Sequence, residues 1–162
     1  MNPFYISQLL AFAAFLSGMA AFQVKQRHHI LTGWFISASL NAAHFFVIGA
    51  HEAGVLVSIT AIRFLLSSRT DSKYLMAIFL CLTGLGFIAA YESAVSLIAL
   101  GASFTGTVGS FQKDTRFVRG SMIIASSLWA THNGLIGSPI AMIMEIAFIV
   151  SNLVGFYRFR KT

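Results

Sequence analysis

Hydrogen-bonding and charged side chains recur at helical spacing inside stretches of this chain that are otherwise apolar. Within residues 30–49, Ser37, Asn41 and His44 stand at i, i+4 and i+7, one stripe along a helix. Side chains of this kind can bind a polar solute, and a carboxylate or an imidazole can also exchange a proton. The pattern predicts eight solute-binding residues: Asn41, His44, Arg63, Trp129, His132, Asn133, Glu145 and Asn152.

The composition places these side chains in a membrane. Of the 162 residues, 57% are apolar and only 10% are charged, which is not the balance of a water-soluble domain. Apolar runs of about 16 to 20 residues recur, close to the length that a helix needs to cross a bilayer. In lipid every backbone polar group must be satisfied within the structure, and the runs are continuous instead of alternating, so helices are favoured over a β-barrel. We therefore expect an all-α polytopic membrane protein in contact with the lipid bilayer.

Breaks at charged and loop-forming residues predict seven helices, and the positions of Lys and Arg predict their orientation. The spans are residues 4–24, 30–49, 53–68, 73–91, 93–111, 118–137 and 139–157. Apart from Arg63, Lys and Arg lie in or next to the connections after spans 1, 3 and 5 and in the C-terminal tail with Arg160 and Lys161. Arg119, at the very start of span 6, is counted with the connection after span 5. The positive-inside rule then predicts an outside N-terminus and a cytoplasmic C-terminus. This distribution also argues against nucleic acid as a partner for the formal charge of +6.

An internal repeat relates the two halves of the chain. "SLNAAHFFVIG" at 39–49 aligns with "SLWATHNGLIG" at 127–137, and the match pairs His44 with His132 and Gly49 with Gly137. The offset equals four helices, so it restores the starting direction and predicts two parallel three-helix repeats, residues 4–68 and 93–157, joined by a linker helix at 73–91. Two amphipathic hairpins that share only their composition are the alternative. Parallel repeats of this kind occur in transporters, which bind their solute between the repeats near the middle of the membrane.

Hairpin geometry arranges the polar residues as a column through the predicted bundle. His44, His132 and Glu145 fall in the outer half, and Arg63 and Asn152 in the inner half. Most of them also have a structural interpretation: a histidine can bond a neighbouring helix, a tryptophan can pack, and Arg63 can extend to the cytoplasmic interface. Glu145 is the strongest candidate because its short side chain cannot reach water.

The layout and the segments "SLNAAHFF" and "AIRFLLSS" resemble the small bacterial inner-membrane YgjV family, and this resemblance implies that the protein lies in a bacterial inner membrane. The predicted three-plus-one-plus-three arrangement also resembles SWEET sugar transporters and vitamin-precursor transporters of the PnuC type. The SWEET resemblance implies that Asn152 and Trp129 face the solute, whereas the first repeat departs, with Asn41 and Phe64 at the matching positions. SWEET proteins carry a proline in four repeat helices, but this chain has only Pro3 and Pro139, so Gly18, Gly101, Gly106 and Gly109 are the candidates for helix sliding or for tight packing.

Two classes of function follow from these features. The first is a transporter that moves a small polar or zwitterionic solute by alternating access. The second is a non-transport membrane protein, a sensor or a partner subunit, whose polar residues only hold the helices together. An enzyme is disfavoured because the sequence contains neither an H-E-x-x-H nor a G-x-S-x-G pattern, and we expect no catalytic residues, metal ligands or cofactor. Homo-oligomerisation is open at this level.

Overall fold

Seven α-helices, and no strands, make up the part of the chain that this computed structural model describes. These residues are 3–49, 51–89, 91, 93–135, 137 and 139–159, without the side chains of residues 51–53, 89 and 140, so Arg160 and Lys161 lie outside them. The helices are α1 (Pro3–Ala21), α2 (Arg27–Val47), α3 (His51–Arg69), α4 (Lys73–Ala89), α5 (Ser96–Ser110), α6 (Thr115–Leu135) and α7 (Pro139–Phe159). The all-α prediction is confirmed.

The helix ends follow from local chemistry. Pro3 and Pro139 are the first residues of α1 and α7, where proline loses no intrahelical hydrogen bond. Gly49 and Gly137, the pair that the repeat alignment matches, follow α2 and α6 with φ of 80° and 72°. This left-handed backbone is the usual helix terminator and favours glycine. Both α2 and α6 begin three residues before their predicted starts, because their first turns contain polar and basic residues that were assigned to connections.

The first three and the last three helices have the same internal order. In the first set α2 packs against both α1 and α3, and in the last set α6 packs against both α5 and α7. Across the sets, α1 packs on α7 and α3 packs on α5, while α4 packs on α5. The core joins both sets and contains Phe22, Ile30, Leu31, Ala38, Ala61, Phe64, Val118, Met122 and Phe148.

The outer surface of the bundle is apolar. Large exposed side chains include Phe12 and Leu16 on α1, Leu85 and Ile88 on α4, and Ile143 on α7. Within the described residues, α1, α2 and the segment Ala141–Phe159 of α7 are long and apolar enough to cross a membrane, and α4 is apolar but shorter. The cavities described below lie partly between the remaining helices, α3, α5 and α6.

Candidate functional site

A cavity of about 330 Å³ lies between α1, α2, α3, α6 and α7. Four of the predicted residues line it, Asn41, Trp129, Asn133 and Glu145, and the hydroxyl groups of Ser37 and Thr60 add to its polar wall. The other ten lining residues are apolar, and four of them are aromatic. An apolar chamber with a few convergent polar groups is the usual form of a small-molecule site.

A second cavity, of about 710 Å³, adjoins the first. The two share five lining residues: Trp34, Thr60, Phe64, Trp129 and Glu145. Arg63 lines only the larger cavity, which also reaches the outer surface between α3 and α4, where Leu56 and Leu85 are more than half exposed. Glu145 therefore stands at the boundary of two connected chambers.

Glu145 and Arg63 bring opposite formal charges to the larger cavity without pairing with each other. The Glu145 carboxylate lies near the Ser126 hydroxyl of α6, and both residues line the larger cavity. The Arg63 guanidinium donates to Ser110 Oγ at 3.3 Å and lies 4.4 Å from the centre of the Phe64 ring. Neither forms an ion pair within the described residues. Arg63 thus forms a hydrogen bond to α5. A ligand that carries both a positive and a negative charge would find one oppositely charged side chain for each, Glu145 and Arg63.

The two histidines occupy different surroundings although the repeat alignment pairs them. His44 Nδ1 lies 2.9 Å from the Ser7 carbonyl oxygen, so this side chain joins α2 to α1. His132 lies edge-on to Trp129, with ring centroids 5.4 Å apart, and its Nδ1 is 3.4 Å from Asn133 Oδ1. Neither histidine lines either of the two cavities described. His132 therefore contacts cavity-lining residues from behind, whereas His44 contributes to helix packing.

Asn152 lies outside both cavities, in a buried network centred on Arg119. Asn152 is 1% exposed, and its Nδ2 donates to the Arg119 carbonyl oxygen at 2.8 Å. The Arg119 guanidinium donates back to Asn152 Oδ1 at 3.3 Å, to the Phe22 carbonyl at 2.8 Å and to the Val24 carbonyl. The assignment of Arg119 to a connection was wrong: it is 2% exposed, inside α6, and it binds the α1–α2 connection to the last three helices.

Arg27 makes the opposite connection, from the first helix set to the second. Its guanidinium donates to the carbonyls of Ser67 at 2.6 Å and Thr70 at 3.3 Å, at the end of α3. It also donates to the Ser110 carbonyl at 2.8 Å and to the Gln112 carbonyl, at the end of α5. Arginine suits this position because its planar fork holds several donors in fixed directions. Arg27 and Arg119 are called the two arginine clamps below.

Sequence reasoning missed Trp34, which lines both cavities. Its ring packs against Phe22, Phe64 and Phe148, with centroids 5.3, 5.8 and 5.1 Å away. Its indole Nε1 is buried and has no acceptor among the described residues. Trp34 lies seven residues before Asn41, on the same helix face, so helical spacing carried a signal for it.

Helices with an apolar outer surface, packed around cavities that contain a few polar side chains, define the chain as a helical membrane protein. It belongs to the Imp-YgjV family, described as a bacterial inner membrane protein, whose model matches residues 5–162. The inner membrane protein YgjV of Escherichia coli (strain K12) is 27% identical over 164 residues, which cover 99% of this chain and 90% of the E. coli protein. No solved structure matches the chain. The family resemblance and the inner-membrane location expected from the sequence are thereby confirmed.

Proposed function

We propose that this protein transports a small polar or zwitterionic solute across the inner membrane by alternating access. The moving parts are two parallel three-helix units, α1–α3 and α5–α7, with α4 as the linker, and all seven helices cross the bilayer. The N-terminus lies outside and the C-terminus in the cytoplasm, in accordance with the positive-inside rule.

One observation carries the proposal: two adjoining chambers between the helix sets, with Glu145 at their boundary. A carboxylate inside a lipid-embedded bundle is energetically costly, and carboxylates in such positions usually mark a binding or coupling site. Trp129 and Asn41 line the same interior from α6 and α2. These groups suffice to orient a solute through hydrogen bonds, ring contacts and charge.

The packing of the helices supports the two-unit description. Each set has its second helix in the middle. The repeat relates α1 to α5 and α3 to α7, so the contact of α1 with α7 corresponds to the contact of α5 with α3. The pair Gly49 and Gly137 ends equivalent helices with the same left-handed backbone. The two arginine clamps, both at the end of the bundle assigned to the cytoplasm, hold the units together on that side.

The test begins with a thermal-shift screen of metabolites on the detergent-purified protein. Solutes that stabilise it are then supplied as radiolabelled compounds to proteoliposomes. We expect Glu145→Gln and Asn41→Ala to abolish uptake while the protein remains folded. Asp114→Asn and Thr131→Ala are the matched controls, because both side chains are exposed and lie outside the cavities, and they should transport normally.

The same experiment examines the non-transport alternative. His44, Asn152 and the two arginine clamps all bond neighbouring helices, which favours a packing role for these particular residues. If Glu145→Gln and Asn41→Ala lower only the melting temperature, and no stabilising solute enters vesicles that contain the unmodified protein, the sensor or partner-subunit function replaces transport.

A further inference from the structure

The described lining of the smaller cavity holds five aromatic rings, one from each of the five surrounding helices. They are Phe15 of α1, Trp34 of α2, Phe64 of α3, Trp129 of α6 and Phe148 of α7. Trp34 packs edge-on against Phe148, and Phe15 lies 5.4 Å from Phe148 between ring centroids. Phe15, Phe148, Trp34 and Phe64 thus form a continuous aromatic wall that spans both helix sets, and Trp129 adds a fifth ring to the lining.

Glu145 is the one charged residue in the described lining of this cavity, since Arg63 lines only the larger one. The other polar groups there are hydroxyls and the amides of Asn41 and Asn133. A carboxylate and the negative faces of aromatic rings both attract a cation. A carboxylate in apolar surroundings also carries a large desolvation cost, which a bound cation offsets.

We infer that the smaller cavity binds the ammonium group of a small organic cation, an inference that rests on the proposed function and names its solute class. The ammonium lies against the aromatic wall beside Glu145. The buried Trp34 N–H is a donor without an acceptor among the described residues, so it suits an oxygen atom on the same molecule. Arg63, in the adjoining cavity, binds the carboxylate of those solutes that are zwitterions. A volume of about 330 Å³ suits a molecule of this size.

Intrinsic fluorescence tests this inference at the site itself. The chain has two tryptophans, and both line the smaller cavity. The purified protein is titrated with choline and with 3,3-dimethylbutan-1-ol, its uncharged isostere, and then with butylammonium and butan-1-ol. We expect each cation to change the emission saturably and to bind at least about tenfold more tightly than its uncharged partner.

Two variants connect this preference to the named residues. Glu145→Gln should reduce the preference for each cation over its uncharged partner by at least about threefold, whereas the exposed Asp114→Asn should leave the preference intact. Phe148→Leu keeps an apolar side chain but removes a ring, and it should weaken cation binding by roughly 3- to 30-fold with little effect on the alcohols. Phe12→Leu, on the exposed face of α1, is its control.

The outcomes separate this inference from the proposed function. If choline and butylammonium each bind no more tightly than their uncharged alcohol, the cation site is overturned. Transport still stands in that case if proteoliposomes take up another solute and the uptake depends on Glu145. Glu145-dependent cation binding without uptake of the bound cation supports the site and overturns transport. A cation preference that is as large in Glu145→Gln as in the unmodified protein overturns the role of this carboxylate.

Discussion

Replacement of Arg119 by methionine tests how far one buried guanidinium holds the two helix sets together. Methionine keeps much of the length and apolar volume of the arginine stem but removes every donor. The carbonyls of Phe22 and Val24 then lose a charged donor, and so does Asn152 Oδ1. Because Arg119 is 2% exposed, water cannot easily replace it.

The expected loss follows from these bonds. Two hydrogen bonds from a charged donor to the backbone carbonyls contribute roughly 3 to 6 kcal/mol in net terms. The substitution also removes Arg119 Nε, which is buried without an acceptor among the described residues and costs about 1 to 3 kcal/mol. The difference between these two contributions spans about 0 to 5 kcal/mol. At the middle of that range the free energy of unfolding falls by about 2 to 3 kcal/mol, which corresponds to a melting temperature lower by roughly 4 to 12 °C for a chain of this length.

The measurement is thermal unfolding of the detergent-purified protein, followed by tryptophan fluorescence. Arg69→Met is the matched control, because Arg69 is exposed at the end of α3, and it should change the stability by no more than about 0.5 kcal/mol. Arg119→Lys should fall between the two, since one ammonium cannot reproduce the planar fork. A loss in Arg119→Met no larger than that in Arg69→Met would refute the reasoning.

Three further predictions address other contacts. Gly155→Ala should destabilise the protein by about 3 kcal/mol in the same unfolding assay, because the added Cβ would overlap a carbonyl oxygen of the α1–α2 connection. The control is Gly120→Ala, where the Cβ would meet open space, and it should leave the stability unchanged or raise it by up to about 1 kcal/mol. Gln23→Leu should cost about 1 to 2 kcal/mol, because Gln23 Nε2 donates to two oxygens of α7 at 2.9 Å, and an unchanged melting temperature would contradict this. Cys81, exposed on α4, should resist a membrane-impermeant maleimide in intact membranes and react once the protein is unfolded; rapid labelling would place α4 outside the lipid.

The helices were predictable from the sequence because the cost of burying an unsatisfied backbone in lipid leaves few alternatives to a continuous apolar helix. The glycine pair Gly49 and Gly137 was also informative, because each glycine ends a helix through its own left-handed backbone. Helix starts were predicted less well, because the polar first turns of α2 and α6 look like connections when their packing is unknown.

The candidate site was predictable only in part. Helical spacing identifies which side chains share a face, and hairpin geometry placed Asn41, Trp129 and Glu145, from three different helices, in one column. All three line the smaller cavity. Spacing does not show which backbone carbonyl a long side chain will reach, so the burial of Arg119 and its bond to Asn152 could not be foreseen. Trp34 was overlooked for another reason: an aromatic residue in an apolar run looks like ordinary packing until a cavity is known to adjoin it.

The two arginine clamps make the halves of this molecule complementary and not interchangeable. Arg27 and Arg119 differ in their position within the repeat: the residues 88 positions away from them are Thr115 and Leu31. Two copies of the first half would supply Arg27 twice and leave the Phe22 and Val24 carbonyls without their guanidinium. Two copies of the second half would likewise lack the Arg27 contacts to the ends of α3 and α5.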